Sequence, residues 1–536
     1  MLAGHLIVEC LRVQGVGRVF CVPGESYLAV LDGLHDAGID VVAARHEGGA
    51  AMMAEADGKL TGRPGIAMVT RGPGATNAAS GIHVAAQDST PMILFVGQIG
   101  RDMRGREAFQ EVDYRALFGG MAKWVEEIDR PERIPEILSH AWHVALSGRP
   151  GPVVIALPED MLRESVEARP GPRVEVAEPW PAPEAAERAR ALIAGAESPI
   201  AIVGGSRWDA SAIAALPGFA ESWSLPMAAS FRRQGLFDAH HPLYAGDVGL
   251  GINPALRERI ANADLVLLLG ARFSENPSQG FTLFGIPEPA QKLIHVHPGA
   301  EELGRIYAPA LPINATPGAF LAAVGNGPET AKTALEHTAY LDWSGTPPPG
   351  VGVATMSHAI AHLREAVPEG AIMANGAGNY AIWLHRFWRY RPGAQLAPTS
   401  GSMGYGLPAA CAAALRHPDR EVWCLAGDGC FQMTGMEFGT AVQHGARIRV
   451  LVCDNARYGT ILMHQDRHYP GRPVATDIVN PDFAAWARSY GAVGLTVESD
   501  DDFAGAVAEA RAADGPALIH LKLDPRDIAP GRTLGP

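Results

Sequence analysis

Two short stretches in the last third of the chain carry residue types suited to anion and cation chemistry. Gly427-Asp428-Gly429 follows an apolar run at 422–426, and Asn455 follows another at 448–453, 27 positions after Asp428. Glycine backbone turns tightly and offers bare N–H groups to an anion at the start of a following helix. An aspartate and an asparagine ending adjacent strands could share one hard cation with a diphosphate. Mg2+ suits such a site, with few protein oxygens and several phosphate oxygens. Alone, Gly-Asp-Gly is more often a loop with a helix cap; Asn455 at the end of the next run favours the shared cation.

This pattern resembles the signature of the thiamine-diphosphate enzymes. The resemblance implies Mg2+ held by Asp428, Asn455 and the backbone carbonyl of Arg457, with Gly427, Gly429 and Cys430 against the diphosphate. The family reads Asn-Asn where this chain has Asp454-Asn455, a departure at a position that is not a ligand there. Arg45-His46-Glu47-Gly48-Gly49 resembles the family's sequence around its activating glutamate. A carboxyl group bonded to the pyrimidine N1′ favours the imino tautomer, which takes the proton from the thiazolium C2; the cofactor carries the hard chemistry. By itself, a glutamate before an Ala-rich helix is more often a charge at a helix N-terminus. Ser400-Gly401-Ser402-Met403-Gly404 matches the segment that wedges a bulky side chain under the folded cofactor. Met403 would be the wedge, and the Gly401 carbonyl a partner for the 4′-amino group. Asn379, in Asn375-Gly376-Ala377-Gly378-Asn379, falls in a diphosphate-contacting loop, and Pro23 and Asn77 are implied cofactor neighbours.

The resemblance covers nearly the whole chain and is nearest to the acetolactate (acetohydroxyacid) synthase branch. Phe20-Cys21-Val22-Pro23-Gly24, Gly72-Pro73-Gly74-Ala75-Thr76-Asn77 and Ala108-Phe109-Gln110-Glu111 carry it in the first part. It implies a carboligase that decarboxylates a pyruvate-like 2-oxo acid and transfers the enamine to a second carbonyl; the alternative is a decarboxylase that releases an aldehyde. Phe109, Gln110 and Lys123 fall where relatives line the substrate approach, although Gln110 and Lys123 could as well be surface residues. Arg71 replaces a small residue and would either clamp a substrate carboxylate or face solvent. His464 falls near the position where the synthases carry a Trp that shapes the acceptor pocket; it could alter acceptor choice, shuttle a proton or be structural. The implied catalytic set is Glu47, Gln110, Lys123, Met403 and His464. The branch holds a non-redox FAD in its middle domain, but this chain has His295 and His297 where relatives have aspartates. FAD is therefore not expected; a degenerate, structural middle domain is. A nucleotide-binding oxidoreductase built on that domain would leave Glu47, Asp428 and Asn455 unexplained.

The elements that must position these residues follow from short β-branched runs alternating with Ala-rich stretches. Runs at 66–70, 92–96, 153–157, 200–203, 265–269, 293–296, 422–426, 448–453 and 517–521 read as strands buried on both faces, hence parallel sheets covered by helices. Pro-rich stretches at 166–184 and 325–352 read as linkers. The expectation is three doubly wound parallel-sheet α/β domains: pyrimidine-binding (1–165), middle (185–325) and diphosphate-binding (352–536). At 536 residues, each is near the usual domain size of roughly 100–150 residues. Forty-four basic against 58 acidic residues give a net charge of −14, which disfavours nucleic acid or an anionic membrane as partner. Six cysteines lack CxxC spacing, the first residues carry no basic n-region, and no apolar stretch reaches the roughly 20 residues of a span, so a cytoplasmic protein is expected. The resemblance further implies a homodimer or homotetramer with sites at subunit interfaces.

Overall fold

All nine expected strands form, and each lies inside one of three six-stranded parallel sheets. The computed structural model describes residues 1–327 and 335–534. The first sheet contains β1 (Arg18–Cys21), β2 (Asp40–Ala43), β3 (Gly65–Val69), β4 (Met92–Gln98), β5 (Trp124–Glu127) and β6 (Pro152–Pro158), in the order β2-β1-β3-β4-β6-β5. The second contains β7 (Pro199–Val203), β8 (Met227–Ser230), β9 (Tyr244–Val248), β10 (Leu265–Leu269), β11 (Lys292–His297) and β12 (Leu311–Asn314), in the order β12-β11-β10-β7-β8-β9. The third contains β13 (Ile372–Asn375), β14 (Gln395–Leu396), β15 (Val422–Gly427), β16 (Ile448–Asp454), β17 (Val493–Val497) and β18 (Ala517–Lys522), in the order β14-β13-β15-β16-β18-β17. Each order reverses direction within its sheet, which is the doubly wound arrangement.

Burial on both faces explains why these runs lack polar alternation. Along β10, Leu265, Leu267 and Leu269 enter one apolar cluster while Val266 and Leu268 enter another, on the opposite face. Each fully buried side chain of this size contributes about 1.5–3 kcal/mol. Helices cover the faces. The one following β2, Glu47–Thr61, starts after His46, whose Nδ1 accepts the Gly48 N–H, and stops at Gly62 in the left-handed conformation.

Two compact units emerge from these packings. One comprises Met1–Ala177 with Ser400–Pro418 and Thr434–Arg447, so the first sheet takes helices from late in the chain; the other comprises Glu178–Thr399, Asp419–Met433 and Ile448–Pro536. The stretch read as a second linker differs from expectation. Residues 328–334 lie outside the described residues, but Leu335–Ser344 is a helix. Tyr340 meets the ring of Tyr244 edge-on at 4.8 Å, and Glu336 pairs with Arg259 at 2.6 Å. These partners are distant in sequence, and the helix has no strong apolar stripe of its own, so local periodicity does not reveal it. All six cysteines are free and buried, and burial raises the Cys21 thiol to about 11. No helix among the described residues is long and apolar enough to cross a membrane.

Candidate active site

In the first unit, the carboxyl ends of β1 to β4 gather one group of expected residues. After β3 the chain turns at Gly72, at φ +56°, into the helix Pro73–Asp88. The Gly72 N–H donates to the Tyr114 hydroxyl at 3.0 Å, and that hydroxyl donates to the Gly97 carbonyl at 3.2 Å. A Cβ on Gly72 would lie 2.8 Å from the Gln110 carbonyl, so only glycine allows this approach. Gln110 is therefore placed at the turn, with Phe109 beside it in the chain and 74% exposed. One turn into the helix, Asn77 donates Nδ2–H to Oε2 of Glu47 at 2.9 Å. Glu47 is half-buried as the first residue of its helix, and an added Cβ at Gly74 would sit 3.2 Å from its other oxygen. Pro23 lies exposed in the loop after β1, where Gly24 packs on Thr70.

Three expected residues behave differently. Lys123 precedes β5, at the opposite edge of the sheet from Glu47, and its ammonium donates to the carbonyls of Val144 (2.5 Å) and Ser147 (2.8 Å). It caps the C-terminal end of the helix Ile134–Leu146, where a cation opposes the helix dipole. Arg71 neither faces solvent nor offers a free clamp. It is 8% exposed and pairs with Glu159 at 2.8 Å and Glu25 at 3.0 Å, two carboxylates that neutralise it. Met403, half-buried, and Gly401, exposed at φ +70°, lie in the loop before the helix Gly406–Arg416; no hydrogen bond joins them to Glu47 among the described residues.

In the second unit, β15 and β16 are adjacent and parallel, with Gly427 opposite Cys453. Asp428 and Asn455 therefore follow neighbouring strand ends. Asp428 is 3% exposed, and burial raises its carboxyl to about 6 despite bonds from Asn480 Nδ2 (2.7 Å) and the Gly429 N–H (2.8 Å). Asn480 also donates to Asp454 at 2.7 Å, and Asp454 accepts from His520 Nε2 at 2.7 Å. Burial alone would raise Asp454, but these bonds and the Ala456 N–H hold it below its usual value. The side chain of Asn455 carries no hydrogen bond among the described residues. Ala456 is left-handed, at φ +55°, and the segment around Arg457 bridges Asp477; the Arg457 carbonyl accepts the Gly459 N–H at 2.9 Å.

The remaining expected residues of this unit surround that pair. A Cβ at Gly429 would meet the Tyr458 ring at 2.6 Å, and one at Gly427 the Tyr380 ring at 2.9 Å. Cys430 turns its sulfur to the Tyr380 hydroxyl at 3.3 Å, leaving only backbone for an anion. Asn379 is held by the Thr460 hydroxyl at 2.9 Å and donates toward the Met463 sulfur at 3.6 Å. His464, on the helix Gly459–His468, is exposed and stacks on His468 at 6.4 Å; Met463, one residue before it, contacts the Asn379 loop. Sequence reasoning missed Asn480 and His520. The only local signal for Asn480 was its place before Pro481-Asp482, where Asp482 caps a helix.

A carboxyl group heading a helix beside a glycine turn, and a buried carboxyl between strand–helix glycines, fit an α/β enzyme that uses a diphosphate cofactor. Comparison with known proteins makes the family specific. Models described as the thiamine pyrophosphate enzyme N-terminal TPP-binding, central and C-terminal TPP-binding domains match residues 1–117, 186–324 and 376–521. The chain is 30% identical over 532 residues to the acetolactate synthase isozyme 2 large subunit of Escherichia coli K12, covering 98% of this chain and 96% of that one. It is 31% identical over 544 residues to the acetolactate synthase large subunit of Corynebacterium glutamicum (97% and 86% covered). Acetolactate synthase of Bacillus subtilis 168 gives 30% over 552 residues (98% and 93%). The chain belongs to the thiamine-diphosphate enzyme family, close to the acetolactate synthase large subunits.

Proposed function

We propose that this protein is a thiamine-diphosphate- and Mg2+-dependent carboligase that decarboxylates a pyruvate-like 2-oxo acid and joins the remaining unit to a second carbonyl. The observation that carries it is the Asp428–Asn455 pair: a buried carboxyl raised to about 6, accepting from the Asn480 amide and the Gly429 N–H, beside a side-chain amide with no hydrogen bond among the described residues at the next strand end. That all-oxygen donor set, completed by the Arg457 carbonyl, fits Mg2+ on a diphosphate. The same assignment gives the pyrimidine role to 1–165, a middle domain to 185–325 and the diphosphate role to 352–536.

When bound, thiamine diphosphate supplies a thiazolium C2 nucleophile and an electron sink for decarboxylation. Glu47 would hold a proton at the pyrimidine nitrogen, and Asn77, by engaging Oε2, orients the carboxyl so that Oε1 faces the bare Gly74. Gly427, Gly429 and the Cys430 backbone would seat the diphosphate, with Asn379, held by Thr460, as a further contact to it. Met403 would support the cofactor rings and the Gly401 carbonyl the amino group. Gln110 and Phe109, at the Gly72 turn, would meet substrate. Lys123 is engaged in capping a helix and His464 in stacking on its neighbour. FAD has no part in this reading. β11 ends in His295, which donates to the Ala271 carbonyl at 3.0 Å, and His297, which accepts the Gly299 N–H at 3.0 Å; neither is a carboxylate for a ribose. Six buried free thiols support a reducing, cytoplasmic setting.

The test is a panel of 2-oxo acids with thiamine diphosphate and Mg2+, following CO2 and product together. A ketol product supports carboligation; an aldehyde matching the CO2 released establishes the decarboxylase instead. Glu47→Gln should lower kcat by about 100-fold or more, and unchanged turnover would remove Glu47 from the mechanism. We place the sites between subunits of a homodimer or homotetramer, so mixing inactive Glu47 and Asp428 variants should restore activity; a silent mixture argues for sites within one chain.

A further inference from the structure

Glu47 can serve its proposed role only if the backbone entering its helix is fixed, and a carboxylate far away in sequence contacts that backbone. We propose that Glu437 is a positioning residue for Glu47, which rests on the reading of Glu47 above. Glu437 begins the helix Glu437–Gln443 and belongs to the same compact unit as Glu47. Its Oε1 accepts the His46 N–H at 3.0 Å and its Oε2 the Arg45 N–H at 3.2 Å. Those are the two amides immediately before Glu47, ahead of the helix, where no helical carbonyl can accept them.

The carboxylate itself is held. The Thr440 hydroxyl, one turn on, donates to Oε2 at 2.6 Å and fixes the side chain. Glu437 is 0% exposed, and no lysine or arginine pairs with it among the described residues. A buried, unpaired carboxylate is a costly thing to keep unless the donors aimed at it do a job. Space around it is equally tight: a Cβ on Gly49 would lie 2.2 Å from Oε1. Gly49 is thus glycine so that the Glu47 helix can approach Glu437, and the anion lies ahead of the helix N-terminus, where the dipole favours it.

The chain of contacts runs from Thr440 through Glu437 to the Arg45 and His46 amides, and then directly into Glu47. Loosening it would leave the Glu47–Asn77 bond in place but release the backbone that aims it. A misplacement of about 1 Å at a reacting group costs on the order of 100-fold.

Glu437→Gln in the full chain removes the charge and one acceptor without changing size. The expected result has two parts. Amide hydrogen exchange at Arg45 or His46 accelerates about tenfold or more without cofactor, since the one remaining oxygen cannot hold both N–H groups as the carboxylate does. In the thiamine-diphosphate-loaded enzyme, exchange of the cofactor's C2 proton slows by roughly 10- to 100-fold. Gly49→Ala, which pushes on the same carboxylate without deleting it, should do both. Protected amides in either variant, or freed amides with C2 exchange unchanged, would overturn the proposal. Glu47→Gln is the control: if it leaves C2 exchange at the wild-type rate, the role given to Glu47 fails, while the cofactor-free amide measurement still decides whether Glu437 anchors the backbone.

Discussion

Asn480 gives one hydrogen of its amide to Asp428 and the other to Asp454, while its oxygen accepts from Gln432 at 2.7 Å. Two carboxylates that would otherwise repel are thereby bridged, and Asp428 is held in one orientation. Groups that orient a metal ligand typically carry 10- to 100-fold in metal affinity. Asn480→Ala should therefore weaken Mg2+ binding in the presence of thiamine diphosphate by about that factor. Tryptophan fluorescence titrated with Mg2+ would read it, and an unshifted curve would show that the bridge is irrelevant to the ion. Single residues also mark where sequence reading reached its limit. The placing of Asp428 and Asn455 after neighbouring strand ends was legible because each follows its own apolar run directly in the chain. Arg71 was not, because its carboxylate partners lie 46 and 88 positions away. Lys123 was not either, since the carbonyls it caps are 21 and 24 positions distant.

At the scale of elements, the Glu47 helix is fixed along its length by buried ions as well as at its head. Lys59 pairs with Glu55 at 3.1 Å and with Asp88 of the neighbouring helix, and Glu55 accepts from Thr90 at 2.6 Å and from the Tyr405 hydroxyl at 2.6 Å. Glu55 and Tyr405 are 0% exposed. Three elements thus share one polar core, which locks the register of the Glu47 helix against the helix that carries Asn77. Removing the cation would strand two carboxylates, at about 3–5 kcal/mol, whereas Tyr405→Phe removes one hydroxyl, at about 1–3 kcal/mol. Lys59→Met should accordingly lower stability in denaturant titration more than Tyr405→Phe does; the reverse order would mean that the hydroxyl, not the charge, organises the cluster. Periodicity announced the central strands of every sheet because they are apolar on both faces. It missed edge strands such as β2 and β5, which are partly exposed, the interior strands β1, β8 and β13, which are only four residues long, and the helix Leu335–Ser344, whose fixing contacts come from Tyr244 and Arg259.

For the whole molecule, two groups in the second unit, the buried His295 and the half-buried Asp247, set opposing pH dependences. Burial, aided by His297, lowers His295 from 6.5 to about 4, with Glu302 acting weakly in the other direction. The unfolded chain then takes up a proton near pH 6.5 that the native state refuses until about 4, so stability rises with pH across that window, by about 3 kcal/mol at most. Asp247, near Tyr244, Tyr340 and Tyr390, goes the other way: loss of solvent raises it from 3.8 to about 7. The native state keeps that proton while the unfolded chain has lost it, and stability falls as pH rises through the same range. The two slopes largely cancel, which predicts a flat contribution in the wild-type protein. Asp247→Asn should unmask the histidine, so that Tm climbs more steeply between about pH 4.5 and 6.5. His295→Gln, which keeps a neutral donor for the Ala271 carbonyl, should unmask the aspartate and tilt the curve downward. Calorimetry of the three proteins across that range decides it: if both variants follow the wild-type slope, neither group titrates differently on folding.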